Sequence, residues 1–180
     1  MKKFVILLGL IMPSTMLLGQ AREPGEKVFE SLKQNIGIGL GLDYGGLLGV
    51  RYTYMAVPQF GLFGSLGYIL VGPGFNFGTT YKFLPDKRVT PTLGAMYGYN
   101  AAIKVVGASE YDKIYYGPSL SVGAEVKTRK NERNFWNFEL VAPFRSGKYN
   151  DDIDMLINNP NIEITKPLPI TFSIGYHFGF

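Results

Sequence analysis

From residue 35 onward, large apolar side chains recur at every second position, which is the period of a β-strand and not of a helix. The stretch 35–42 sets Ile36, Ile38, Leu40 and Leu42 against Gly37, Gly39 and Gly41. The same alternation returns at 48–54, 62–70, 75–83, 93–103, 114–126, 135–142 and 168–180, so eight strands are predicted. The third is the least regular, because Phe63 and Ile69 fall among its small residues. Turn-like segments separate the strands at 43–46, 56–60, 71–74, 84–88, 107–112 and 128–134, and one long connection covers 143–167. This rhythm predicts an all-β chain folded as an antiparallel up-and-down barrel.

Alternation alone does not separate a soluble barrel from one that spans a membrane; the second face does. A soluble barrel turns that face to water and fills it with charge. Here it carries mostly Gly, Ser, Thr and Asn, which fit the narrow interior of a small barrel. Away from the strand ends the charges are Arg51, Lys82, Glu125 and Glu139, and all four fall on the small-residue face. Placed in lipid at mid-depth, Arg51 and Lys82 would each cost roughly 2–4 kcal/mol and the two acids somewhat less. Placed in a closed lumen, two cations and two carboxylates neutralise one another. The expected fold is therefore an eight-stranded transmembrane barrel with a side-chain-filled lumen.

Composition agrees with that picture. The chain has 180 residues, enough for one ordinary domain. Only 18% are charged, while glycines number 23 and aromatics reach 14%, a poor mixture for a soluble helical protein. With no cysteine, a disulfide scaffold, a thiolate metal site and a catalytic thiol are excluded. Segment 1–21 has Lys2 and Lys3, an apolar run over 4–12, and small residues Gly19 and Ala21, the pattern of a cleaved signal peptide. Residues 22–34 then form a polar periplasmic segment and 35–180 the barrel. The net charge of +4 falls by two with Lys2 and Lys3, too small a surplus for nucleic-acid binding.

At the carboxyl end Phe172, Ile174, Tyr176, Phe178 and Phe180 alternate to the last residue. Such an aromatic terminal strand resembles the signal read by the outer-membrane barrel assembly machinery. With it, 35–180 resembles the small eight-stranded outer-membrane barrels of the outer-membrane protein A and X type. The resemblance is one of architecture and rests on no short motif. It implies a monomer in the outer membrane of a Gram-negative cell, among outer-membrane lipids and lipopolysaccharide, with the assembly machinery as a partner during biogenesis. It also implies salt bridges among Arg51, Lys82, Glu125 and Glu139. Both termini become periplasmic, and Tyr52, Tyr54, Tyr81, Phe83, Trp136, Phe138, Tyr176 and Phe178 become a periplasmic aromatic girdle.

No catalytic residue, cofactor or metal is expected. Some barrels of this size modify lipid A by acyl transfer, which needs a nucleophile with an oriented base. The one histidine, His177, lies three residues from the terminus and points inward by alternation. Asp151, Asp152 and Asp154 lack the Gly and terminal Glu of a calcium loop and read as a solvated loop, as does the basic run 127–133. Tyr111, Tyr115 and Tyr116 read as a contact patch or an extracellular girdle. A structural or surface-interaction role is the first reading, a small passive pore the second, and a lipid A-modifying enzyme the third.

Overall fold

A computed structural model describes residues 32–105, 111–158 and 168–180. The expected signal peptide and all of the polar segment before Leu32 lie outside the described residues. The strands are β1 (Gln34–Gly41), β2 (Gly46–Val57), β3 (Phe60–Ile69), β4 (Gly72–Lys82), β5 (Val89–Ile103), β6 (Lys113–Lys127), β7 (Phe135–Pro143) and β8 (Thr171–Gly179). Each pairs antiparallel with its sequence neighbours, and β8 returns to β1, closing an eight-stranded barrel. At the seam Ile36 faces Phe178, Gly37 faces His177 and Ile38 faces Tyr176. The predicted all-β antiparallel barrel is thus the observed fold, and closure leaves neither β1 nor β8 with an open edge.

The strands form where alternation predicts them, since a pleated strand sends successive side chains to opposite faces. Three departures have local causes. Leu42, placed outward by alternation, is buried, because Gly41 takes a φ of 107° and turns the chain into the lumen. The segment 43–46, expected as a surface turn, becomes a 3-10 turn (Leu42–Tyr44) lodged inside the barrel, with Asp43 and Tyr44 fully buried. Ala101 and Ile103 also point inward, because the β5–β6 register shifts between Tyr99 and Ala101 and reverses the phase of the alternation beyond it.

That reversal positions α1 (Gly147–Ile157), the one α-helix among the described residues, within the long connection expected over 143–167. Ser146 caps it by accepting a hydrogen bond from the Tyr149 backbone N–H. Tyr149, Ile153 and Leu156, spaced by four and three residues, make one apolar face. This face packs on Ala101, Ile103, Val105 and Tyr115, which the β5–β6 hairpin presents beyond the register shift. Tyr115 is therefore a core residue rather than part of an exposed patch, whereas Tyr116 points outward and stacks on Phe75 at 5.1 Å.

Asp152 is the polar anchor of the helix. It accepts hydrogen bonds from the Tyr115 hydroxyl at 2.5 Å and the Lys113 ammonium at 3.1 Å. These two donors, the tyrosine first, hold its carboxyl below the ordinary value of 3.8. A depressed carboxylate strengthens the folded arrangement above its unfolded pKa and loses that contribution as pH falls through the folded one. Docking of α1 is therefore expected to stay constant from neutral pH down to 3.8 and to weaken below it. Amide exchange of Ile153 against pH reads this directly; equal acid sensitivity in Asp152→Asn would assign the effect to another group.

Candidate functional site

The inward residues build a polar lumen with two levels. Nearest the chain termini, the Lys82 ammonium meets the Glu125 carboxylate at 2.7 Å and lies 5.1 Å from the centre of the Phe135 ring. Lys127, expected in a solvated turn, is buried at this end, and its ammonium donates to the Pro85 carbonyl. The reason is register: Lys127 is the last residue of β6 and falls on its inward face. His177 stacks on Phe135 with ring centres 4.7 Å apart.

Above this, the inward turn drops the Tyr44 phenol down the axis of the barrel. Its oxygen is 2.7 Å from His177 Nε2, and His177 Nδ1 is 2.7 Å from Asn35 Oδ1, a buried hydroxyl–imidazole–amide chain. Room for the ring comes from two glycines on adjacent strands. A Cβ on Gly39 would lie 2.5 Å from the Tyr44 ring, and one on Gly175 would overlap the Tyr44 phenol itself. Gly45, with φ 77°, ends the 3-10 turn in the left-handed region and returns the chain to β2.

The second level surrounds the turn. Arg51 lies 3.8 Å from the Asp43 carboxylate, and its guanidinium sits 3.7 Å from the centre of the Phe63 ring. Phe63, the inward aromatic that made the third strand look irregular, is thus the platform for the cation. Glu139 accepts from the Thr92 hydroxyl at 3.2 Å, and the Asn76 amide donates to the Leu42 carbonyl. Both Asp43 carboxylate oxygens, Arg51 Nε and Nη1, Glu139 Oε2, and side-chain oxygens of Ser65, Asn76 and Asn137 are buried without a hydrogen-bond partner among the described residues. Polar atoms in that condition are ordinarily served by internal water, so this level is suited to hold it.

Of the four charges named from sequence, Lys82 and Glu125 meet directly, while Arg51 pairs with Asp43 and Glu139 with Thr92. All four are buried inside the barrel. Asp43 and Tyr44 were missed because a short segment between two strands reads as a surface turn. Their sequence signal was the pair of glycines at 45 and 46 directly after an aromatic residue. Tyr52, Tyr54, Tyr81, Phe83, Trp136 and Phe178 point outward and are exposed, and Phe138 and Tyr176 point outward and are half-buried. Among them Trp136 and Tyr176 meet edge to face with centres 5.0 Å apart, as do Tyr176 and Phe178. Phe172 and Ile174 share that outward face of β8, and Phe180 is exposed beyond it. Among the described residues no group of three or more acids and histidines is placed to hold a metal ion, Asp151, Asp152 and Asp154 included.

The architecture defines the class: a closed, eight-stranded antiparallel β-barrel with a side-chain-filled polar lumen. The chain matches no protein-family model, no curated protein and no solved structure.

Proposed function

We propose that this chain is an integral outer-membrane β-barrel of a Gram-negative envelope, with a structural or surface-interaction role at the mouth formed by α1 and the β5–β6 hairpin. The observation that carries the reading is the outer wall. Every strand exposes large apolar side chains, from Leu40 on β1 and Leu66 on β3 to Leu140 on β7 and Phe172 on β8. An apolar surface running around the whole circumference far exceeds the few hundred Å2 (roughly 300–600) usual for the largest patch on a soluble monomer. A hydrocarbon surrounding removes that penalty, and the outward aromatics near the termini match an interfacial girdle. The signal-peptide pattern in 1–21 and the outward aromatic residues Phe172, Tyr176 and Phe178 of β8 support the same location. So does the architectural likeness to the outer-membrane protein A and X barrels.

The filled lumen favours a closed barrel over the passive pore. Tyr44, His177 and the Lys82–Glu125 pair occupy the axis, and eight strands leave room for little besides side chains. The mature protein refolded in detergent is expected to change its gel mobility on boiling and to show no steady conductance in planar bilayers. Absence of a mobility change, with solubility lacking detergent, would favour a soluble barrel instead. Steady conductance would favour the pore.

A further inference from the structure

The upper lumen is blocked by a turn of the chain more than by the side chains of its wall. Five inward glycines on five strands, Gly39, Gly49, Gly67, Gly74 and Gly175, have an atom of Tyr44 or Gly45 as the nearest one that a Cβ would meet. An eight-stranded barrel is ordinarily filled by side chains of its wall. At these positions the wall supplies none, and the turn between β1 and β2 takes the space. Leu42 of the same turn packs on Phe63, Met96 and Val141, inward residues of β3, β5 and β7. Space lies on both sides of this closure. A cavity of about 220 Å3 at the mouth is bounded by Leu42 and Asn100. A water-sized cavity of about 20 Å3 near the termini touches Lys82, Glu125 and Asn35, and Asn35 is the residue that holds His177 against Tyr44.

The turn is lightly held. Among the described residues, wall side chains bond it at the Tyr44 hydroxyl, at the Leu42 carbonyl through Asn76, and at the Asp43 backbone N–H through Ser173 Oγ at 3.5 Å. Neither Asp43 carboxylate oxygen has a hydrogen-bond partner, with Arg51 3.8 Å away. Gly41 at φ 107° and Gly45 at φ 77° bracket the segment, and glycine is where a change of backbone angles costs least. We propose that the turn Leu42–Tyr44 is a gate. Seated, it shuts the barrel; swung toward the mouth, it joins the two cavities into a polar passage for small ions. Arg51, Lys82, Glu125 and Glu139 face that passage, two charges of each sign, so it discriminates little between cations and anions. Conduction rests on the membrane reading, whereas movement of the turn does not.

The chain has no cysteine, so one introduced thiol is read without background. Ser65→Cys lies one inward pair deeper than the bed of the turn, since Arg51 faces Ser65 where Gly49 faces Gly67. The refolded protein in lipid nanodiscs is treated with a small charged methanethiosulfonate, and the labelling rate is read by mass. Labelling faster than global unfolding is expected. Gly49→Ala, whose Cβ overlaps the Tyr44 carbonyl, unseats the turn and should speed labelling by about tenfold or more. Gly64→Ala, on the outer face with nothing within 4 Å of its Cβ, should leave the rate unchanged. In planar bilayers Gly49→Ala and Tyr44→Ala should gain the steady conductance expected to be missing from the parent. No labelling before global unfolding, equal rates in Gly49→Ala and Gly64→Ala, or silent bilayers from variants that keep the mobility change on boiling would each overturn the proposal. If Gly49→Ala does not refold, labelling of Ser65→Cys against its own unfolding decides. A barrel that stays soluble without lipid and labels with this pattern keeps the moving turn while removing the membrane reading. A barrel that inserts and never labels does the reverse.

Discussion

Replacing Arg51 by Met is expected to destabilise the barrel by about 3–5 kcal/mol, the usual loss when one partner of a buried ion pair is removed. The reason is the surroundings of the cation. Asp43 lies 3.8 Å away, Glu139 is buried at the same level, and among the described residues no second cation is in contact with either carboxylate. Without Arg51, two buried acids at one level of the lumen lose the cation that offsets their mutual repulsion. Urea unfolding of the refolded protein measures the loss. Adding Asp43→Asn to Arg51→Met should recover a large part of it, since removing both charges leaves no uncompensated ion at that position. Equal stability of Arg51→Met and the parent would show that the lumen hydrates these carboxylates well enough to need no counter-ion.

The second large effect concerns one methyl group. The three atoms nearest to a Cβ built on Gly175 all belong to the Tyr44 phenol, and the overlap is too close to accommodate. Gly175→Ala is therefore expected to displace Tyr44 from the axis and from His177, at a cost of about 1–3 kcal/mol for overpacking. Tyr44→Ala, which empties the axis, should cost about 3–5 kcal/mol, as truncations of buried aromatics do. The informative variant combines them. If Gly175 is glycine because Tyr44 fills its space, Gly175→Ala added to Tyr44→Ala should cost far less than Gly175→Ala alone. Additive losses would place the role of Gly175 in the β8 backbone and not in the plug.

Both expectations concern residues whose importance was only half visible along the chain. The inward positions of Arg51, Lys82, Glu125 and Glu139 follow from phase counting, because each lies inside a strand with a regular pleat. Their partners do not. Lys82 and Glu125 are separated by 43 residues and meet only through the combined registers of β4, β5 and β6. Arg51 finds its acid in a turn, where no alternation exists to be counted. The helix α1 had a readable signal, Ser146 followed by Tyr149, Ile153 and Leu156, inside a connection whose acids Asp151, Asp152 and Asp154 read as a solvated loop. The face it packs against could not be read, since the register shift after Tyr99 reverses which side of β5 and β6 is apolar.

Local patterning by itself determined the eight strands, their antiparallel order and, outside the turn after Gly41 and the part of β5 and β6 beyond the register shift, which residues of each strand face inward. It could do so because side-chain direction in a regular pleat depends on position parity, and the short turns between most successive strands favour antiparallel pairing of neighbours. The tertiary structure alone decided what fills the barrel. Tyr44 reaches a histidine 133 residues away through space opened by glycines on two other strands. A glycine at any one position shows that a side chain is missing there. Only the closed barrel shows which distant residue takes up the space.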